Sequence, residues 1–598
     1  MADRFWVGGT GSWAATTTNW SATSGGSGGA SLPTAADDVY FDANSGSGTV
    51  TVTTATRLCK SLSFRGLSGT SDYTGTFAQS GTGSITISGG LTLSASTTYT
   101  YAGALTFNGS GGFNITANGV SLSASSITIN NVSLTLSFTD AFVTTGSLVL
   151  TGGVLLGSTI SVGSFTLTSN SLSRVVSFTS MNFTGAGTLA TIGATQTNFV
   201  FSVTNLYITG SQSSARTLVT SGSFLFPYAY LAGSGTGSIS FTSGAGTLQP
   251  CNVTVTNTGG AIISLGTGLY GDIIFQSGTN AVWTNAASQT LTIQGNITLT
   301  STQASPTLTP AITLNGGGGT AQTITSAGKS FVTGVITIND VGNNVTYTFA
   351  DAFSSNAAVT ITATGIVGSL NINANFSLTL ATNTLTLTAG TLNINNGANI
   401  TCGLFSSNNS NSRTINMGSG TWTLTGTGTV WNLATTTGLT FNAQQSRILI
   451  NNTATPGTGA NFSGGGLTYY TVEYARGAST ATNTISGNNT FANFIDNTST
   501  AAHAFTWTSG STNTFYKFNV RGSAGALITF GTVTTAAFLV KVGQGIVNCN
   551  YITLLTGNTS ASPANTWYRG ANGTGTSTGW VASNALSSQS LLGVGGVG

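Results

Sequence analysis

The chain of 598 residues carries 14 Lys and Arg against 11 Asp and Glu, so only 4% of its side chains are charged and its formal charge is +3. Helical domains would need charged outer faces and phosphate recognition would need clustered Lys and Arg; neither pattern is present, and no nucleic-acid partner is expected. Disorder is excluded in turn by 31 Phe, 15 Tyr and 9 Trp, because disordered chains are poor in aromatic and β-branched residues.

Residues 1–45 read as an N-terminal cap or attachment segment. Trp6, Trp13 and Trp20 lie seven apart, but Gly8-Gly9-Thr10-Gly11 and a Thr-rich run rule out a helix, so the tryptophans are expected to plug the first coil. The acids of Asp37-Asp38-Val39-Tyr40-Phe41-Asp42 are assigned to the same cap, and no metal site is expected. Asp3 and the lack of an apolar core behind a basic start argue against a Sec signal. Every apolar stretch is interrupted before about 18 residues, so no membrane insertion is expected.

Residues 46–500 read as a β-solenoid body. Short alternating segments recur, among them Ile85-Thr86-Ile87, Leu91-Thr92-Leu93, Phe165-Thr166-Leu167, Leu291-Thr292-Ile293, Leu378-Thr379-Leu380, Leu385-Thr386-Leu387 and Trp422-Thr423-Leu424. A period of two puts one face inward and one outward, and the Thr hydroxyls keep the outer face hydrated without charge. Gly368-Ser369-Leu370-Asn371-Ile372-Asn373 returns 22 residues later as Gly390-Thr391-Leu392-Asn393-Ile394-Asn395, a period that suits one solenoid coil and is too short for a propeller blade. Asn at equivalent turns is expected to stack into hydrogen-bonded ladders. A longer echo pairs Ile127-Thr128-Ile129-Asn130-Asn131 and Phe138-Thr139-Asp140-Ala141-Phe142 with Ile336-Thr337-Ile338-Asn339-Asp340 and Phe349-Ala350-Asp351-Ala352-Phe353, which predicts plain structural corners at Asp140 and Asp351. Residues 501–582 are assigned to C-terminal coils and a cap, and 583–598 to a tail.

Residues with chemistry are few. The four cysteines, Cys59, Cys251, Cys402 and Cys549, are too dispersed for a metal site or a disulfide framework and are expected to be buried free thiols. A lone histidine, His503, makes a Ser/His/Asp triad improbable and is expected at the surface or in a turn. Glycoside cleavage needs two carboxyl groups; Glu473, the single Glu, lies in Glu473-Tyr474-Ala475-Arg476 and is expected to form a salt-bridged corner. No catalytic residue and no cofactor are assigned. Trp283, Trp422, Trp431 and Trp507 are the glycan-contact candidates, provided that their rings are exposed.

Both ends resemble a known group. Arg4-Phe5-Trp6-Val7-Gly8-Gly9-Thr10-Gly11-Ser12-Trp13, Asn19-Trp20-Ser21, Ser24-Gly25-Gly26, Pro33-Thr34 and Asp37-Asp38-Val39-Tyr40-Phe41-Asp42 resemble the start of phage tail-fibre-like and tailspike-like β-helical virion proteins. Phe505-Thr506-Trp507-Thr508-Ser509-Gly510-Ser511, Phe518-Asn519-Val520-Arg521-Gly522, Asn550-Tyr551-Ile552, Ala561-Ser562-Pro563-Ala564-Asn565-Thr566-Trp567-Tyr568-Arg569-Gly570 and Thr578-Gly579-Trp580 resemble their final coils. The resemblance spans about 45 residues at the front and about 100 at the back, and the middle matches in style alone.

The expected fold is therefore all-β, an elongated right-handed parallel β-helix (β-solenoid) with capping segments at both ends. The resemblance implies a virion component, assembled in the host cytoplasm, with other virion proteins as partners, a homotrimer as the favoured oligomer and a host-surface glycan as target. It supplies no catalytic residues. A polysaccharide-depolymerising tailspike, an architectural decoration or filament protein, and an adhesin on a bacterial cell surface are the alternatives.

Overall fold

The computed structural model describes residues 2–582 except 15, 68–69, 193–197, 220–223, 226, 243–249, 286–288, 304–306, 309–310, 318–320, 334, 340–343, 363–367 and 532–536. The expected tail 583–598 and the acid Asp340 lie outside these residues. The body expected over 46–500 divides between two compact units, Met1–Leu291 with Thr302–Ala304, and Thr292–Ser301 with Ser305–Gly598. Each is a β-solenoid of stacked parallel strands. Among the described residues the helical segments are two 3-10 turns, Thr17–Asn19 and Ala43–Ser45.

In the second unit each early coil gives one strand to each of three parallel stacks. Thr346–Phe349, Ser369–Ile372, Gly390–Ile394, Arg413–Asn416 and Leu439–Asn442 form one stack. Phe353–Ser355, Phe376–Leu378, Ile400–Cys402, Thr421–Leu424 and Arg447–Ile450 form another. The sequence repeat sets the register: Leu370 lies opposite Leu392 and Asn371 opposite Asn393. Coil length is not constant, since Leu385 pairs with Phe405 but Val359 pairs with Leu385.

Alternation works as the period of two dictates. Ile85, Ile87, Leu370, Leu392, Trp422 and Leu424 are buried, while Thr86, Asn371, Asn393 and Thr423 between them face outward. Leu380 departs from the expectation: its strand ends at Leu378, and the Leu380 side chain is left exposed. The outward Asn positions form a ladder, in which Asn393 Nδ2 donates to Asn371 Oδ1 at 2.8 Å, Asn416 Nδ2 to Asn393 Oδ1 at 2.6 Å and Asn442 Nδ2 to Asn416 Oδ1 at 2.6 Å. This ladder runs along strands rather than turns; the corner pair Asn395 to Asn373, at 3.0 Å, is the turn version that was expected.

From Ala460 the coils change shape, ahead of the expected boundary at 501. One stack continues as Ala460–Ser463, Thr482–Ser486, His503–Trp507, Ile528–Phe530 and Ile552–Leu554. Facing it are the longer strands Thr468–Tyr474, Thr490–Asp496, Thr512–Arg521 and Ala537–Asn550. The first unit makes a similar change, from short strands to the long parallel set Ser126–Phe138, Ser147–Val162, Arg174–Phe183 and Phe199–Ile208.

Buried arginines start three strands. Arg174 lies opposite Gly153 of the previous coil and Phe199 of the next, Arg216 opposite Gly187 and Ile239, and Arg413 opposite Gly390 and Leu439. All three glycines have positive φ, 110°, 72° and 82°; lacking Cβ, they accept that backbone and leave room for the arginine stem. The Arg413 guanidinium is bound by backbone carbonyls and a hydroxyl. Arg413 Nη2 donates to Ser407 O at 2.8 Å and Thr435 O at 2.5 Å, its Nη1 to Asn411 O and Thr437 O at 2.9 Å, and its Nε to Ser407 Oγ at 2.7 Å. Burial lowers the guanidinium pKa from its usual value, yet an arginine stays charged, so the charge is held by loop carbonyl dipoles.

Two outcomes follow for stability. Asn393→Asp replaces the ladder's amide donor with a second acceptor facing Asn371 Oδ1, and is expected to cost about 1–2 kcal/mol, read as a lower denaturation midpoint. Arg413→Lys keeps the charge but cannot span the same carbonyls; a loss of about 2 kcal/mol or more is expected in the same measurement.

Candidate functional site

At the N-terminal end, Trp6, Trp13 and Trp20 are buried. Trp6 meets Trp20 edge-on with ring centroids 5.2 Å apart, Trp13 lies 5.5 Å from Trp20, and Trp13 and Trp20 pack on Phe41 at 5.6 and 6.0 Å. The cluster fills the first coil, where Asp3–Trp6 pairs antiparallel with Trp20–Ser21 and parallel with Asp38–Tyr40. The nearby acids are each engaged. Asp37 accepts from Thr34 N at 2.9 Å and Thr34 Oγ1 at 2.7 Å, Asp38 pairs with Lys60 at 3.1 Å, and Asp42 caps a 3-10 turn while accepting from Ser24 Oγ at 2.6 Å. Burial pushes the Asp37 carboxyl up, but the bonds from Thr34 and Ala2 and the charge of Arg4 outweigh it and hold the group low.

The four glycan-contact candidates have a different place from the one proposed for them. Trp283, Trp422 and Trp431 are fully buried and Trp507 nearly so, so none presents a ring to a ligand. The reason is register: each stands at an inward position of its strand, as in Trp422 opposite Ile400 and Ile448.

Other sequence-marked residues prove structural. Asp140 accepts from Ala117 N at 2.7 Å and Asn118 N at 2.5 Å, and Asp351 accepts from Ser326 N at 2.8 Å and Ala327 N at 2.6 Å. Each ties down a turn of the preceding coil whose residues, Asn118-Gly119 and Ala327-Gly328, have positive φ. The echo is thus a repeated corner. Glu473 is gripped at both oxygens, with Arg447 Nη2 at 2.8 Å and Arg447 Nε at 2.9 Å. Tyr474 and Arg476 turn inward instead, where Arg476 donates to Thr458 O at 2.6 Å and Asn483 Oδ1 at 2.8 Å, so the apparent Glu/Tyr/Arg cluster does not assemble.

His503 corrects the expectation of a surface or turn residue. It is buried at the start of a strand, with Nε2 2.9 Å from Asp496 Oδ2 and Nδ1 3.3 Å from Ala501 O. Ser499 Oγ donates to the other carboxylate oxygen at 2.6 Å, so the hydroxyl serves the acid rather than facing the imidazole. The signal that could have found this pair is that Asp496 is the last acid in the chain. The cysteines are buried free thiols, and burial pushes Cys251, Cys402 and Cys549 up to about 12. Among the described residues no group of three His, Cys, Asp or Glu side chains is placed to hold a metal ion.

Two surface features remain, both in the second unit. An open pocket of about 380 Å³ lies at a corner lined by Asn395, Asn396, Ser419, Gln444 and Gln445. The other is a ridge on the long strands beyond Ala460, where two consecutive residues of each strand face outward: Tyr470-Thr471, Ala492-Asn493 and Tyr516-Lys517. The flanking register aligns Tyr469, Phe491 and Phe515 beneath them and Thr471, Asn493 and Lys517 beside them. Tyr470 is 42% exposed and Tyr516 53%. The doubled Tyr469-Tyr470 within an alternating segment was the available signal.

Comparison with family models, curated proteins and solved structures finds no match.

The packing near the first coils carries a pH prediction. Burial raises the Tyr73 and Tyr99 phenols to about 12, and Tyr73 OH donates to Gly48 O at 2.5 Å. Up to pH 10 both folded and unfolded chains hold these protons, so stability is unaffected; above it the unfolded chain releases them first, and stability falls from pH 10 towards 12. Circular dichroism is expected to show loss of β-structure between pH 10 and 12, and β-structure unchanged to pH 12 would contradict the packing.

Proposed function

We propose that the chain is a phage-type virion structural protein, a tail fibre, spike or particle-surface fibre whose rigid β-solenoid presents a polar, nearly uncharged surface for attachment to a host cell. The observation that supports this reading is the outer column Thr386, Ser406, Asn432, Ser463 and Ser486, which lie opposite one another in successive coils. Hydroxyl and amide groups held at a fixed repeat suit sugar hydroxyls, and a β-framework holds them without the ordering cost a flexible surface would incur. The resemblance at both ends points the same way. Under this reading the chain works without catalysis or cofactor, as a homo-oligomer, a homotrimer being favoured, attached to other virion proteins.

Labelled full-length protein incubated with intact bacterial cells of a susceptible host is expected to bind saturably, and pretreating the cells with periodate, which cleaves vicinal diols of glycans, is expected to abolish binding. Sustained release of oligosaccharides from host polysaccharide would instead identify a depolymerase. Failure to bind while the protein decorates or extends a particle would identify an architectural part.

A further inference from the structure

The exposed tyrosine ridge and the charge distribution of the second unit converge on one ligand chemistry. Residues 1–291 carry seven acids and six Lys or Arg, whereas residues 292–598 carry four acids and eight. After Asp496 the chain contains Lys517, Arg521, Lys541 and Arg569 and no further acid. The described acids of this unit are committed: Asp351 to two backbone amides, Glu473 to Arg447 and Asp496 to His503 and Ser499. Among the described residues no ion pair is formed by Lys517 or Lys541.

Within that field, Tyr470 and Tyr516 stand in one column with Ala492 between them. At about 4.8 Å per coil the two rings are about 10 Å apart along the column, the span of a disaccharide unit, and the small Ala492 leaves the gap open. Beneath them Tyr469, Phe491 and Phe515 stack with centroids 5.8 and 5.3 Å apart, so the strands carrying the outer rings are braced from inside. Asn493 Nδ2 donates to Thr471 Oγ1 at 3.2 Å, and Lys517 is next in the same column. On the next strand Lys541 lies opposite Phe515 and Ile546 opposite Lys517, so the register shifts opposite Tyr516 and Lys541 stands half-buried at that irregularity.

We propose that this ridge binds a linear anionic polysaccharide running along the coil axis, with Tyr470 and Tyr516 stacking on alternate sugars and Lys517 and Lys541 meeting their carboxylates. Exposed aromatic faces bind the apolar faces of pyranose rings. The lysines supply charge complementarity and with it a salt-dependent affinity. A second copy docking through the same face is a poorer occupant, because it would set Lys517 against Lys517 with no free acid among the described residues of that face. The inference rests on the attachment reading and specifies its ligand class.

The test uses full-length protein with polygalacturonate and polysialic acid as anionic probes and dextran as the neutral control. The wild type is expected to bind an anionic probe but not dextran, with at least tenfold weaker binding at high salt. Tyr470→Ala with Tyr516→Ala, and separately Lys517→Glu with Lys541→Glu, are each expected to weaken binding at least tenfold with the thermal midpoint unchanged, while Lys517→Arg with Lys541→Arg retains it. Binding of neither anionic probe, equal binding of dextran, or full affinity in the tyrosine variant would overturn the proposal. A fall in that variant's mass by light scattering with affinity unchanged would also overturn it, by showing a contact between copies. Host cells bound equally by wild type and tyrosine variant would remove this site but keep attachment, whereas cells bound by neither would remove attachment itself.

Discussion

Every outward residue in these coils has the equivalent residue of the next coil about 4.8 Å away, and this vertical neighbour governs what the surface can carry. Two like charges at that distance repel by about 1 kcal/mol in water and by about 3–4 kcal/mol at an effective dielectric of 20. Repeating a charged residue through a stack multiplies that cost, whereas repeating Thr or Asn adds a hydrogen bond at each rung, as in Asn371, Asn393, Asn416 and Asn442. A chain with 4% charged residues is the composition this geometry selects.

The same constraint explains where the few charges stand. Arg174, Arg216 and Arg413 each have a glycine one coil before and an apolar residue one coil after, so no cation has a cation above or below it. Lys517 lies between Asn493 and Ile546. Corners impose the complementary demand, because their backbone amides leave the ladder and need acceptors. Asp140 and Asp351 meet it by reaching back one coil to turns with positive φ. Asp140 and Asp351 thus serve amides and Arg413 serves carbonyls, while Asp38 with Lys60 and Glu473 with Arg447 form direct ion pairs.

This division decides how much the sequence could disclose. The coil period was legible because Leu370-Asn371-Ile372 and Leu392-Asn393-Ile394 are one coil apart and pair in that register; alternation then placed the core. The echo around Asp140 and Asp351 was legible for the same reason, as a corner repeated in both units. What alternation cannot give is parity at a bend. Where two consecutive residues face outward, at Tyr470-Thr471 and Tyr516-Lys517, the pattern slips and two tyrosines emerge, while Trp283, Trp422, Trp431 and Trp507 stay within. The burial of His503 was hidden likewise, since its partner Asp496 comes from the end of the preceding strand and no spacing rule links them.

Under the proposed attachment, the lengthened strands beyond Ala460 are where the regular stack is interrupted and unlike groups meet. A perfect column presents one chemistry at one repeat and so offers little basis for telling one ligand from another. Breaking the column lets unlike groups become neighbours: two consecutive outward residues expose Tyr470 and Tyr516 with the small Ala492 between them, and the register shifts where the next strand passes from Lys541 to Ile546. Each departure costs ladder hydrogen bonds or exposes apolar surface, so it must be braced, and the inner stack of Tyr469, Phe491 and Phe515 lies directly beneath. Rigid inner rings under mismatched outer ones is what selective binding on a solenoid requires, because discrimination comes from unlike groups held at fixed separation.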